Sequence, residues 1–310
     1  MSQIFTRFGA LCAAGMLVTL LVAGLWYRRR GIGYGVWIRL CVLSIPMAWL
    51  CARLAYCLTN LSYYVDTVEN PLIMLRFWDG GFSLFGALIG LMLAALLIGR
   101  WQRINPAMLL DGVALGALPG IVIVRLAQTG TGIGIGRYIQ SEWLQPIGVT
   151  ENLWHPVYLY QAVTTAVILV IILVWLRSCK GAPIIGDLTL VFATLYGCAE
   201  VVLESLCKDG HMTVHDNLVH VHQIMAILLP VAALLVWTIR LARKGDKKSQ
   251  HNTVWLIIAW VIVVACIGLG INQEFAVDRH DNLVLEYGIM VAAMAVVAAT
   301  TLTIRRKANQ

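Results

Sequence analysis

The chain has 310 residues, 60% of them hydrophobic and only 13% charged, with a net charge of +7 and a mean hydropathy of +0.79. A soluble domain carries roughly 25% charged residues, so the composition excludes one and makes the lipid bilayer the solvent. The basic excess does not point to nucleic acid either, because the Lys and Arg residues fall between apolar runs, where they meet anionic lipid headgroups.

Apolar runs of spanning length, roughly 20 residues each, fall at about 8–27, 37–58, 82–99, 107–127, 155–176, 184–206, 219–240, 253–272 and 285–304. This predicts an all-α polytopic bundle of nine spans. Every second gap is basic: Arg28, Arg29 and Arg30 with Arg39; Arg100 and Arg103; Arg177 and Lys180; Arg240, Arg243, Lys244, Lys247 and Lys248; then Arg305, Arg306 and Lys307. The positive-inside bias makes these gaps cytoplasmic, with the N-terminus outside and the C-terminus inside. The first run ends in an Arg cluster in place of a small-residue cleavage site, so it is expected to stay as an anchor.

Two outward connections are long, 59–81 and 128–154. The second opens with alternating glycine, Gln128 to Gly136, but no strand precedes it, so it is not a nucleotide loop. It reads as an irregular connection, with an amide nest for an anionic headgroup as the alternative. The eight cysteines are scattered and read as small packing residues, with no metal framework. His211, His215, His220 and His222, with Asp209 and Asp216, read as a hydrated outward loop before the seventh span rather than as a zinc site. The basic stretch 240–252 separates a seven-span core, 1–240, from an additional pair of spans, 253–304.

Arg53 and Arg125 stand inside apolar runs, where a charge is costly and needs a reason. Counting about 1.5 Å of rise per residue from the cytoplasmic end of each run, both reach the outer leaflet. Glu200 and Glu204, at i and i+4, share one helical face at the same level. Four ionisable side chains are therefore expected at one depth, either as an ion-pair layer that sets helix register or as a polar pocket where arginine takes a phosphate.

Several segments resemble the prolipoprotein diacylglyceryl transferase family. They are Ala52-Arg53-Leu54-Ala55-Tyr56; Arg76 through Ser83, followed by Gly86 through Gly90; Arg125-Leu126-Ala127-Gln128 with Tyr138-Ile139-Gln140-Ser141-Glu142; His155 through Tyr160; Tyr196-Gly197; and Gln223. The likeness spans about residues 5–240. It implies a membrane enzyme at the outer face of the bacterial cytoplasmic membrane that uses no cofactor or metal. Its two substrates are phosphatidylglycerol and the lipobox cysteine of a prolipoprotein signal peptide; the diacylglyceryl group passes to the thiol and glycerol phosphate leaves. By the resemblance Arg125, Glu142 and Glu204 are the catalytic candidates. Arg53, Gln128, Gln140, His155, Tyr160 and Tyr196 are the substrate-binding ones.

The chain departs from the family pattern where chemistry is concentrated. Phe85 stands at the family's histidine in its Ser-Phe-His-Gly-Gly stretch, Glu200 at an arginine, Gln161 at a glutamate, Gln128 at an asparagine and Phe8 at a tyrosine. Residues 129–137 are an insertion. These departures keep a second reading open, a lipid-binding or lipoprotein-interacting relative without turnover. A solute transporter is disfavoured, because no inverted repeat with broken helices is visible.

Overall fold

The computed structural model describes residues 2–61, 63–67, 71–139, 142–149, 153–179, 183–207, 213–214, 219–243, 249–277 and 283–309. Among them are nine helices long and apolar enough to cross a membrane: α1 (Ser2–Arg29), α2 (Tyr34–Thr59), α3 (Leu84–Trp101), α4 (Pro106–Ala127), α5 (Val157–Ser178), α6 (Asp187–Ser205), α7 (Val221–Arg243), α8 (Ser249–Val277) and α9 (Leu283–Asn309). The protein is an all-α multi-pass membrane protein. Each helix replaces one expected apolar run with ends shifted by a few residues. Their boundaries follow local chemistry: Ser83 caps α3 by accepting from the Gly86 amide, and Asn105 caps α4 ahead of Pro106 in the first turn.

Alternate helix ends give the bundle a basic end, with Arg28, Arg29, Arg100, Arg177, Arg240, Arg243, Arg306 and Lys307 in last turns, and a loop-rich end. The long connections 60–83 and 128–156 lie at the latter. Lipid tails are as apolar as leucine, so helices associate here through close backbone approach at small residues. α4 places Gly112, Gly116 and Gly120 on one face against Tyr27 and Thr19 of α1, where any added Cβ would collide. Gly86 and Gly90 likewise let α3 lie on the backbone of α2.

α9 runs antiparallel to α6 along its length. At the loop-rich end the Tyr287 hydroxyl donates to the Ser205 carbonyl at 3.2 Å. At the basic end Asp187, 1% exposed, accepts from Arg305 at 2.6 Å, Asn309 at 3.1 Å and Trp237 of α7 at 2.9 Å. α9 is thus joined to α6 by polar contacts at both ends.

The histidine-bearing connection between α6 and α7 contains a two-residue antiparallel pairing, Thr213–Val214 (β1) with Val219–His220 (β2). His211 and His215 lie outside the described residues, as does the side chain of His220. His222 departs from the hydrated-loop expectation. It sits in the first turn of α7, only 18% exposed, and turns into the bundle.

Candidate functional site

Polar side chains from five helices meet at the loop-rich end. Arg125, in the last turn of α4, forms a buried ion pair with Glu200 of α6. One turn further along α6, Glu204 stands on the same face, as the i, i+4 spacing requires. Gln161 of α5, fully buried, bridges the two carboxylates: its Nε2 donates to Glu200 Oε1 at 3.0 Å and to Glu204 Oε2 at 3.3 Å. A neutral donor suits this position, since a carboxylate there would face two others.

From Glu204 the chain of contacts continues to His222 and Ser83. Glu204 Oε1 lies 3.0 Å from His222 Nδ1, and His222 Nε2 lies 3.1 Å from the Ser83 hydroxyl at the start of α3. An ionised carboxylate only accepts, so the proton on this imidazole belongs on Nδ1 and the Ser83 hydroxyl donates to Nε2. Phe85 packs its ring 5.4 Å from the imidazole, centroid to centroid, and 6.3 Å from the Tyr196 ring. Tyr196 in turn stacks on Phe192 at 5.3 Å.

Two buried donors in this layer have no acceptor among the described residues: Arg125 Nε and the Tyr196 hydroxyl. Tyr196 and Glu200 are one turn apart on α6, so both donors belong to the same patch. A buried donor left unpaired costs about 1–3 kcal/mol. Both would be satisfied by an oxygen-rich anion.

The other expected residues are distributed around this layer. Arg53, 3% exposed, does not join Arg125. Its guanidinium gathers backbone carbonyls of the connection after α2, from Met74 at 3.1 Å, Ile73 at 3.3 Å, Gly81 at 3.3 Å and Gly80. Five N–H donors in a planar fork make arginine suited to such a cage. Gln128 follows α4 as its C-cap, nearly buried, with Oε1 unpaired among the described residues.

His155 Nδ1 lies 3.1 Å from the Tyr160 hydroxyl. Half-burial holds the His155 imidazole below its ordinary pKa by penalising its charged form. The amides at the start of α5 are paired within the protein: the Val157 and Tyr158 amides donate to the His155 and Gly134 carbonyls, each at 3.0 Å. The glycine-rich connection is what supplies that cover. Gly134 has φ +70°, and a side chain there would press on Gln128 and Tyr158. Its neighbours pair across the same end, Gly136 amide to His155 carbonyl at 2.7 Å and Arg137 amide to Leu206 carbonyl at 3.1 Å. Glu142 begins the short turn Glu142–Ile147, but its side chain, like the whole of Gln140, lies outside the described residues.

Sequence reasoning missed Ser83 and His222 as members of this layer. The signal available was topological: α6 and α7 are consecutive antiparallel helices, so a residue at the end of one and the start of the other are neighbours.

A family model described as prolipoprotein diacylglyceryl transferase matches residues 3–239, ending before α8. Similar proteins named phosphatidylglycerol–prolipoprotein diacylglyceryl transferase occur in Bacillus velezensis, with 26% identity over 79% of this chain and 92% of that protein. Another, in Clostridioides difficile, is 28% identical over 66% of this chain and 79% of that protein. A cyanobacterial one, from Nostoc, is 26% identical over 73% of this chain and 83% of that protein.

Proposed function

We propose, from the premise that this chain belongs to the prolipoprotein diacylglyceryl transferase family, that it transfers the diacylglyceryl group of phosphatidylglycerol to the lipobox cysteine of prolipoproteins. The substrates are those in the names of its relatives. The supporting observation is the pair of buried donors without acceptors among the described residues, Arg125 Nε and the Tyr196 hydroxyl, in a layer reached by helices α3 to α7.

In this reaction the cysteine sulfur attacks the glyceryl carbon that carries the phosphate. A carbon–sulfur bond forms, the carbon–oxygen bond to phosphate breaks, and glycerol phosphate leaves with the electron pair. Charge grows on the departing phosphate, so donors aimed at its oxygens lower the barrier; removing one such donor typically costs about 10²–10³ in rate. Arg125 is assigned that role through its unpaired Nε, with Tyr196 beside it. Glu200 reduces the net positive charge that Arg125 presents, since an opposite charge at about 4 Å offsets about 4 kcal/mol at an effective dielectric of 20.

Glu204 positions the proton-handling side of the layer, and Gln161 fixes both carboxylates through its amide. Arg53 acts by holding the connection after α2 in place. His155, Tyr160 and Gln128 are placed at the headgroup side, with Gln140 and Glu142 assigned there from the family resemblance. The loop-rich end faces outward from the bacterial cytoplasmic membrane and the basic end faces the cytosol, which puts the N-terminus outside and the C-terminus inside. Residues 1–240 form the transferase unit and 253–304 an added helix pair. The chemistry draws on protein side chains, with no metal or soluble cofactor.

The test uses the full-length protein in phosphatidylglycerol vesicles with a lipobox peptide. Expected are release of glycerol phosphate and a diacylglyceryl thioether on the peptide by mass spectrometry, with Arg125→Ala at least a hundredfold slower. Absence of both products from the unaltered protein, with phosphatidylglycerol still raising its melting temperature, sinks the enzymatic reading.

A further inference from the structure

The thiol that attacks the lipid has a free pKa of about 8.5 and must lose its proton to become a good nucleophile. Phe85 can take no proton, and Arg125 carries one permanently. Glu200 is engaged by Arg125 and Gln161. Glu204 accepts from Gln161 and from the His222 imidazole. Among the described residues that leaves the imidazole of His222, whose Nε2 lone pair meets the Ser83 hydroxyl at 3.1 Å.

We infer that His222 is the general base that deprotonates the acceptor thiol, an assignment that rests on the transferase reading. Its geometry is that of an oriented base. Glu204 Oε1 accepts from Nδ1 at 3.0 Å, which fixes the tautomer and stabilises the imidazolium that forms. Nε2 then presents its lone pair to the Ser83 hydroxyl at 3.1 Å. Ser83 is itself locked, 2% exposed and accepting from the Gly86 amide at 3.3 Å. Phe85 and its 5.4 Å contact form the apolar wall of the imidazole.

The proton balance is simple. The thiol donates to the Ser83 oxygen; the Ser83 hydroxyl proton moves to Nε2 as the thiol proton replaces it on Ser83, and the sulfur attacks carbon while glycerol phosphate departs. His222 returns the proton to the released phosphate or to water. Among the described residues, the charged groups around His222 are Glu204, in direct contact, and Glu200 with its partner Arg125, one turn deeper along the same face. Glu204 is a positioning residue in this scheme, acting through the imidazole.

The experiment compares the unaltered full-length protein with His222→Gln in phosphatidylglycerol vesicles, using two lipobox peptides, one with cysteine and one with selenocysteine. A selenol is already ionised at neutral pH and needs no base. Expected for His222→Gln is a loss of about a hundredfold or more with the cysteine peptide, the usual contribution of a positioned base, and a loss under about threefold with selenocysteine. Equal losses with both peptides, or no loss with either, overturn the assignment. Should His222→Gln fail to fold, the pH profile of the unaltered protein decides: a cysteine rate that levels off well below the thiol's free value of about 8.5 supports a base, and one that climbs through it removes the base. Turnover by the unaltered protein establishes the transferase reading whichever way these arms fall, so the two failures are distinct.

Discussion

Arg125 and Glu200 form an ion pair between α4 and α6 with side chains 10% and 1% exposed. Breaking a buried pair from one side leaves an uncompensated charge and costs about 3–5 kcal/mol. On the proposed function, Glu200 competes with lipid phosphate for that guanidinium. Glu200→Gln is therefore expected to lower the melting temperature in neutral detergent and to recover most of that loss on adding phosphatidylglycerol. The measurement is thermal unfolding with and without that lipid. An equal lipid-induced shift in the variant and the unaltered protein contradicts the competition.

Arg53 converts four backbone carbonyls into a cage that fixes residues 73–81 against α2. Lysine keeps the charge but is a point donor without the planar fork. Arg53→Lys is expected to cost about 1.5–3 kcal/mol, the range for hydrogen bonds to a charged group, and to make the connection between α2 and α3 the earliest site of proteolysis. Limited digestion followed by mass spectrometry reads this out. Unchanged cleavage would mean that the connection is held by its apolar contacts, such as Trp49 stacked on Phe77 at 4.1 Å.

Burial depresses the His155 pKa, so between its folded and unfolded values the unfolded chain binds more protons. Stability then rises with pH through that window and falls as acid carries the solution below the ordinary histidine value of about 6.5. His155→Gln is expected to flatten this acid limb and leave stability near neutrality little changed. Melting temperatures from about pH 8 to 5 test it; an unaltered slope in the variant assigns the acid sensitivity elsewhere.

Asp187 gathers Arg305 and Asn309 of α9 and Trp237 of α7 at one buried carboxylate. Asp187→Asn keeps the shape and removes the charge. It is expected to lower stability by about 1.5–3 kcal/mol and to raise hydrogen exchange in the last turns of α9 before the rest of the bundle. Uniform exchange along the chain would show that α9 is held without the Asp187 charge, by its apolar packing and the Tyr287 contact to Ser205.

Hydropathy and charge made the nine spans legible, because a bilayer forces each apolar segment into a helix and leaves only its ends to local chemistry. The pairing of Arg125 with Glu200 and the nearness of Glu204 followed from depth and i, i+4 spacing. Depth alone could not separate Arg53 from Arg125. Both stand at the same level, but Arg53 faces a connection whose carbonyls turn inward, and no residue pattern encodes that path. His222 was hidden for a different reason: among histidines and aspartates a histidine reads as solvated, and only the start of α7 at Val221 turns it inward. The glycine alternation after Gln128 was legible as irregular, whereas its pairing with His155 and Leu206 is long-range.

Two departures from the family pattern, Gln161 and Glu200, touch each other at 3.0 Å. Their coupling explains why they occur together. With Glu200 and Glu204 both carboxylates, a glutamate at 161 would place three anions around one arginine, so the amide is favoured. With arginine at 200, next to Arg125, a glutamate at 161 would instead separate two cations. Gln161→Glu alone and Glu200→Arg alone are each expected to destabilise the protein by several kcal/mol, through like charges in a buried layer. The double variant is expected to be more stable than the sum of the two predicts by about 1–3 kcal/mol, within the coupling range for residues in one network. A double-mutant cycle on melting temperature supplies the number, and an additive result would show that the two positions vary independently.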